Sequence, residues 1–262
     1  DLAQILDEQG DDIALLLLPG VQYYTGQVLD MHAICELGQR YGCRVGLDLA
    51  HAVGNVPLEL HDWGPDFASW CTYKYLNAGP GAIAGVFVHD RHRATEDFLQ
   101  GWWGNDVSSR FRMHPQFVPA QGADAWQLST PPVLAMAPLR ASLELFGEAG
   151  MERLRARSVA LSGWLQQVSD SKLAQVLEII TPNSPAKRGC QLSLRVRGER
   201  EAGKSLFAYL EDNGVLCDWR EPDVIRMAPV PLYNHYEDIY RFIKTTQAWA
   251  GLTLENGQHE HR

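Results

Sequence analysis

The sequence predicts an α/β fold, the later part of a large mixed α/β domain followed by a small α+β C-terminal domain. Three observations carry this. Short apolar runs of strand length alternate with a segment of helical periodicity early in the chain. The first run, Ile13–Leu18, is apolar at every position, as in a strand buried on both faces of a parallel sheet. Beyond Pro131 two long helical patterns come first, and strands then return between helices.

Taken in order, Leu2, Ile5 and Leu6 give the opening residues a helix-like pattern that runs at once into Ile13–Leu18, which reads as a domain entered partway through. Val28–Tyr41 sets Met31, Ile34, Cys35 and Leu37 at helical spacing, and Gly42 suits the C-terminal cap. Arg44–Leu49, Phe67–Cys71 and Ala82–Val88 follow as strands, completing a β-α-β unit. Helices are predicted over Leu134–Gly147 and Met151–Val168, then strands at Val176–Ile180 and Gln191–Val196. A helix at Ala202–Asn213, short strands at Val215–Cys217 and Val224–Met227, and a last helix near Tyr236–Ala250 complete the pattern. The polar end, Glu255–Arg262, is expected to fray. Residues 1–145 are assigned to the large domain and 146–262 to the small one.

A chain of 262 residues with 45% hydrophobic and 21% charged residues can bury a sizeable core and is ordinary for a soluble protein. Its net charge of −9 argues against nucleic acid and anionic membranes as partners. No apolar run approaches the about 20 residues of a membrane span. Asp1–Gly10 lacks the basic stretch and apolar run of a signal peptide. The five cysteines include no Cys-x-x-Cys pair, which fits a reducing cytosol, so a cytoplasmic location is expected. The nine histidines show no zinc-ligand spacing, and no metal is expected.

The sharpest constellation is Asp48-Leu49-Ala50-His51, followed by Lys74 within Cys71-Thr72-Tyr73-Lys74-Tyr75-Leu76-Asn77. Asp48 and Lys74 each stand just past a predicted strand, and open α/β sheets gather ligands outside the carboxyl ends of their strands. A lysine in such apolar and aromatic surroundings loses its proton more readily and can form a Schiff base. A carboxylate on the neighbouring strand end can pair with a pyridinium nitrogen and keep the ring an electron sink. His51 could stack on a flat ring or orient the carboxylate. Each residue alone has a plainer reading: Lys74 as a solvated surface residue, Asp48 as a helix N-cap, His51 as a structural histidine. Gly79-Pro80-Gly81 fits no phosphate-loop pattern and reads as a turn that lets the chain pass close to the site.

The stretch from Asp48 to Gly85, DLAHAVGNVPLELHDWGPDFASWCTYKYLNAGPGAIAG, resembles the core of the kynureninase family of pyridoxal-phosphate (PLP) enzymes. The likeness continues in Gly101-Trp102-Trp103-Gly104, Ser129-Thr130-Pro131-Pro132, Arg188-Gly189-Cys190-Gln191-Leu192 and Ile225-Arg226-Met227-Ala228-Pro229-Val230-Pro231-Leu232-Tyr233-Asn234, and covers roughly residues 1 to 250. The resemblance implies the PLP-transferase type I fold. It also implies hydrolysis of L-kynurenine to anthranilate and L-alanine in tryptophan catabolism and NAD biosynthesis, with 3-hydroxykynurenine as a second candidate substrate. By the same resemblance Lys74 carries PLP, Asp48 pairs with its ring nitrogen, and His51 lies against cofactor and substrate. Tyr73 reaches the phosphate and relays a proton, Trp102 and Thr130 help bind the cofactor across a homodimer interface, and Arg226 holds the substrate α-carboxylate, a task suited to a bidentate guanidinium.

The sequence departs from the family's pattern in places. Pro19 replaces a Ser found near the cofactor in some members, and Asn105 replaces a frequent His. The family's N-terminal segment, which supplies a phosphate-binding loop and a stacking aromatic residue, has no counterpart among these residues. That departure supports a rival of another class, a non-catalytic remnant acting as a dimerising scaffold. The joint presence of Asp48, Tyr73, Lys74 and Arg226 opposes it. A cysteine desulfurase, the nearest enzymatic rival, would place His where Tyr73 stands and needs a reactive Cys on a mobile loop.

Overall fold

The computed structural model describes residues 2–92 and 99–259, with the backbone alone for 252–259. The chain forms two compact units: residues 1–20 with 30–148, and residues 21–29 with 149–262.

The first unit contains α1 (Leu2–Gln9), β1 (Leu15–Pro19), α2 (Met31–Arg40), β2 (Arg44–Asp48), α3 (Leu60–Trp63), β3 (Phe67–Trp70), β4 (Gly85–Val88) and α4 (Val133–Ala149). The sheet order is β1-β2-β3-β4, with β1, β2 and β3 parallel and β4 antiparallel. Asp30 sets the start of α2 three residues after the predicted Val28: its carboxylate accepts the Ala33 N–H at 3.0 Å, as an N-cap does. Gly38 lets α2 lie close on the sheet, because a Cβ there would stand 2.3 Å from Val45 Cγ2 and 3.2 Å from Leu16 Cδ1. Asp66 locks the entry to β3 onto β2, its Oδ2 accepting the Val45 N–H at 2.7 Å and its Oδ1 meeting Arg44, His92 and Arg91. Burial alone would raise the Asp66 pKa, yet the Val45 N–H, His92 and the two guanidinium groups hold it below the usual carboxylate value.

The expectation that the first strand is buried on both faces needs correction. Leu16 is 7% exposed, but Leu15 is 46% and Leu17 57% exposed. Successive strand side chains point to opposite faces, and α2 covers the face of Leu16 and Val45. A run of leucines has no alternation from which this could be read.

The second unit contains α5 (Met151–Lys172), β5 (Leu177–Ile179), β6 (Leu192–Val196), α6 (Arg200–Asp212), β7 (Asp218–Arg220), β8 (Val224–Met227) and α7 (Tyr236–His259). Its antiparallel sheet has the order β5-β6-β8-β7. Leu192, Leu194, Val196 and Ile225 form one core with Leu161 and Leu165 of α5, Leu206 and Leu210 of α6, and Ile239, Phe242 and Ile243 of α7. The predicted strand at Val215–Cys217 is displaced: β7 begins at Asp218, while Val215 is buried in that core. α7 continues to His259, past the predicted start of fraying at Glu255, and residues 260–262 lie outside the described residues.

Residues 21–29 pack with the second unit, although their neighbours on both sides belong to the first. Side chains of the second unit take hold of the segment's backbone. Gln191 Nε2 donates to the Tyr23 carbonyl at 3.1 Å, Ser193 Oγ to the Tyr24 carbonyl at 2.5 Å, and Thr181 Oγ1 to the Thr25 carbonyl at 2.6 Å. The Tyr24 hydroxyl donates to Asp223 at 2.5 Å, and Asp223 also pairs with Arg195 at 2.7 Å. Nothing in the composition of this segment marks it as leaving the first domain, so the sequence assigns it there by default. Among the described residues no helix is long and apolar enough to cross a membrane.

Phe242 is fully buried, whereas Leu216 is 85% exposed. Phe242→Ala should lower unfolding free energy by about 3–5 kcal/mol, and Leu216→Ala should change it by less than about 0.5 kcal/mol. Urea unfolding followed by circular dichroism measures both; equal effects would show that the helices do not share one core with the sheet.

Candidate functional site

The parallel register brings the turns that carry Asp48, His51, Tyr73 and Lys74 to one edge of the first unit's sheet. Asp48 ends β2 opposite Pro19 of β1 and Ser69 of β3, and the Leu49 N–H carries the pairing one step further by donating to the Ser69 carbonyl at 2.9 Å. Asp48 is exposed, and its Oδ1 accepts the Ala50 N–H at 2.9 Å, which starts the turn that presents His51. That turn is held in turn by Asn55, whose side-chain amide donates to the His51 carbonyl at 3.0 Å.

Lys74 stands on a second turn, beyond β3, that is fixed on several sides. Thr72, 1% exposed, donates through Oγ1 to the Ile83 carbonyl at 2.6 Å, and Ala78 N–H donates back to the Thr72 carbonyl at 3.1 Å. Ser142 of α4 donates to the Leu76 carbonyl. Asn77 takes the left-handed conformation at φ 57° that closes the turn. Gly54 allows the two turns to meet: at φ 79°, a Cβ on it would stand 2.8 Å from the Tyr75 carbonyl oxygen. As a result Lys74 Nζ lies 3.1 Å from His51 Nε2, and the His51 ring meets the Tyr75 ring edge-on at 5.9 Å.

Tyr73 is half exposed, and the centroid of its ring lies 6.0 Å from Lys74 Nζ. Its pKa is raised above the ordinary tyrosine value, chiefly by a side-chain hydrogen bond to Cys71. The set thus offers a carboxylate, an imidazole, a phenol and an amine in one unit. An aldehyde cofactor with a basic ring nitrogen needs these: an amine to hold it and an anion for the ring N–H. The donor set fits PLP.

The other predicted residues lie elsewhere. Trp102 donates its indole N–H to the Arg110 carbonyl at 3.1 Å and packs against Trp103 and Phe111, while Thr130 is exposed just ahead of α4. Among the described residues no hydrogen bond or ring contact joins either to Lys74. Arg226, on β8 of the second unit, has a side chain only 10% exposed. Its Nε donates to Asp218 at 2.8 Å, its Nη2 also reaches Asp218, and its Nη1 donates to the Tyr23 carbonyl at 2.8 Å. Gly79 and Gly81 have the positive φ that their turn requires, and a Cβ at either would meet no protein atom within 4 Å. Sequence reasoning missed Gly54, Asn77 and Asp218. Only the strand register could have pointed to Asp218.

The family model for the kynureninase C-terminal domain matches residues 154–246. The chain is 59% identical over 251 residues to the kynureninase of Xanthomonas axonopodis pv. citri, covering 95% of this chain and 59% of that protein. It therefore spans about three-fifths of the length of the curated relatives it matches. A cysteine desulfurase from Thermococcus onnurineus superposes with a TM-score of 0.74 at 15% identity, over 95% of this chain and 63% of that one. A C-DES mutant with glycine covalently linked to its PLP cofactor superposes with a TM-score of 0.78 at 20% identity, over 94% and 64%. The shared architecture is the PLP-transferase type I fold.

Three of the five cysteines are chemically quiet. Burial pushes the Cys35 thiol up to about 11, and the Cys190 and Cys217 thiols up to about 12. A thiolate is the reactive form, so these three are poor nucleophiles near neutrality. Cys71 is partly exposed. At pH 8 a thiol reagent should modify Cys71 in the native protein and spare Cys35, Cys190 and Cys217 until denaturant is added. Peptide mapping after timed labelling reads this, and early loss of Cys35 or Cys190 would contradict it.

Proposed function

We propose that this chain is a member of the kynureninase family and carries the cofactor-anchoring and carboxylate-binding residues of a PLP-dependent hydrolase that splits L-kynurenine into anthranilate and L-alanine. The observation that supports this most is the placing of Lys74 Nζ 3.1 Å from His51 Nε2 on turns at the strand edge where Asp48 ends. PLP, when bound, supplies the electron sink for cleavage between Cβ and Cγ of the substrate.

In this reading Lys74 is the residue that holds the cofactor. Its free amine would take the substrate α-proton, and the neighbouring His51 imidazole, 3.1 Å from Nζ, would accept or return a proton there. The Asp48 carboxylate would pair with the ring nitrogen of the bound cofactor and keep it protonated. Water is added to the γ-carbonyl with general-base help, which makes the reaction a hydrolysis. Tyr73, whose phenol stays protonated near neutrality, donates a proton to the departing carbon. Arg226 binds the α-carboxylate, and Trp102 and Thr130 contribute to the cofactor site of a partner subunit in a cytoplasmic homodimer. The same machinery extends to 3-hydroxykynurenine.

Borohydride reduction of the PLP-loaded full-length protein should fix the cofactor to the peptide containing Lys74; attachment at another lysine removes the basis of the assignment. Asp48→Asn keeps the shape but removes the charge, and should lower turnover on the order of 100-fold, as losses of preorganised charge do. Anthranilate fluorescence gives the rate, and near wild-type turnover in that variant would rule out the role of Asp48.

A further inference from the structure

We propose that Asp218 is a positioning residue for substrate recognition, orienting Arg226 so that its guanidinium is ready to receive an α-carboxylate. The inference rests on the reading that Arg226 binds the substrate's carboxylate.

The strand register makes the arrangement. β8 runs between β6 and β7, and Arg226 is directly opposite Ser193 on one side and Asp218 on the other. Residues opposite each other in an antiparallel pair share a face, so the carboxylate and guanidinium must meet. They do so through the fork: Nε and Nη2 both donate to Asp218 Oδ2. The Tyr23 carbonyl takes a hydrogen from Nη1 at 2.8 Å. A guanidinium has five N–H donors. Three are engaged, which leaves one on Nη1 and one on Nη2, a pair that a carboxylate can accept in parallel.

Charge leads to the same conclusion. Asp218 also pairs with Arg220 at 3.0 Å, so one carboxylate stands between two guanidinium groups. The trio carries a net charge of +1, which one substrate carboxylate would neutralise. The Arg226 side chain is 10% exposed, so without Asp218 it would be a largely buried cation held by a single carbonyl. Asp218 itself need not touch the substrate. Its effect is on the direction of the two remaining N–H groups.

The test uses the full-length, PLP-loaded protein. Asp218→Asn should raise KM for kynurenine roughly 10- to 100-fold with kcat within about 3-fold, because a carboxylate contact formed equally in ground and transition states acts on KM. Asp218→Ser serves as a second uncharged variant with the same expected result, should the Asn variant fail to fold. Asp218→Glu keeps the charge and should stay within about 5-fold of the wild-type KM. Kynuramine, the same side chain without the carboxylate, should inhibit wild type and variants equally. An unchanged KM in the uncharged variants, a Glu variant as weak as they are, or an equal loss of kynuramine inhibition overturns the role of Asp218 alone. A wild-type protein that turns over no kynurenine overturns the functional reading, and this inference with it.

Discussion

In the first unit the register of β2 on β3 sets Asp48 against Ser69, and the Leu49 N–H then closes on the Ser69 carbonyl. Parallel strands must end at the same edge, so the turns that follow them have to emerge side by side. The buried carboxylate of Asp66 pins that register from the opposite end through the Val45 N–H. Everything chemical in this unit depends on it. Were β3 to slip by one residue, alternate side chains would change face and the turn bearing Lys74 would no longer meet the one bearing His51.

The two turns are rigid for reasons unrelated to their reactive side chains. Thr72, Ala78 and Ser142 consume backbone groups around Lys74, and Asn55 consumes the carbonyl of His51. Gly54 then removes the one Cβ that would hold them apart. Preorganisation of this kind places an amine beside an imidazole before any ligand is bound, which is where an enzyme gains most from its scaffold.

The second unit solves a different problem, that of keeping cations inside a small sheet. Arg226 and Arg195 lie on the face opposite the Leu192–Leu194–Ile225 core, and each is matched by an aspartate, Asp218 and Asp223. The segment 21–29 completes that face by offering carbonyls to Arg226, Gln191, Ser193 and Thr181. Buried charge is tolerated where its hydrogen bonds are made, and here the Tyr23 carbonyl, from a distant part of the chain, makes one of them for Arg226. The same unit encloses Cys190 and Cys217 and raises their pKa values, so its sulfur is chemically quiet while its guanidinium groups stay available for anions.

Legible from residue order alone were the alternation of strands and helices, the resemblance to the kynureninase family, and the residue types proposed to carry the chemistry. Strand and helix periodicity are local, and Asp48, His51, Tyr73 and Lys74 lie in short contiguous motifs on neighbouring strand ends, so both survive reading one residue after another. The exposure of Leu15 and Leu17 was hidden because a run of leucines has no period, and β7 was misplaced because Val215 is apolar as a core residue of the turn before it. Only the tertiary structure decided that residues 21–29 join the second unit, that Gly54 lets two turns touch, and that Asp218 holds Arg226. Each of these is a contact between residues whose pairing is fixed by strand register, backbone conformation or packing, and none of those is written in the types of the residues concerned.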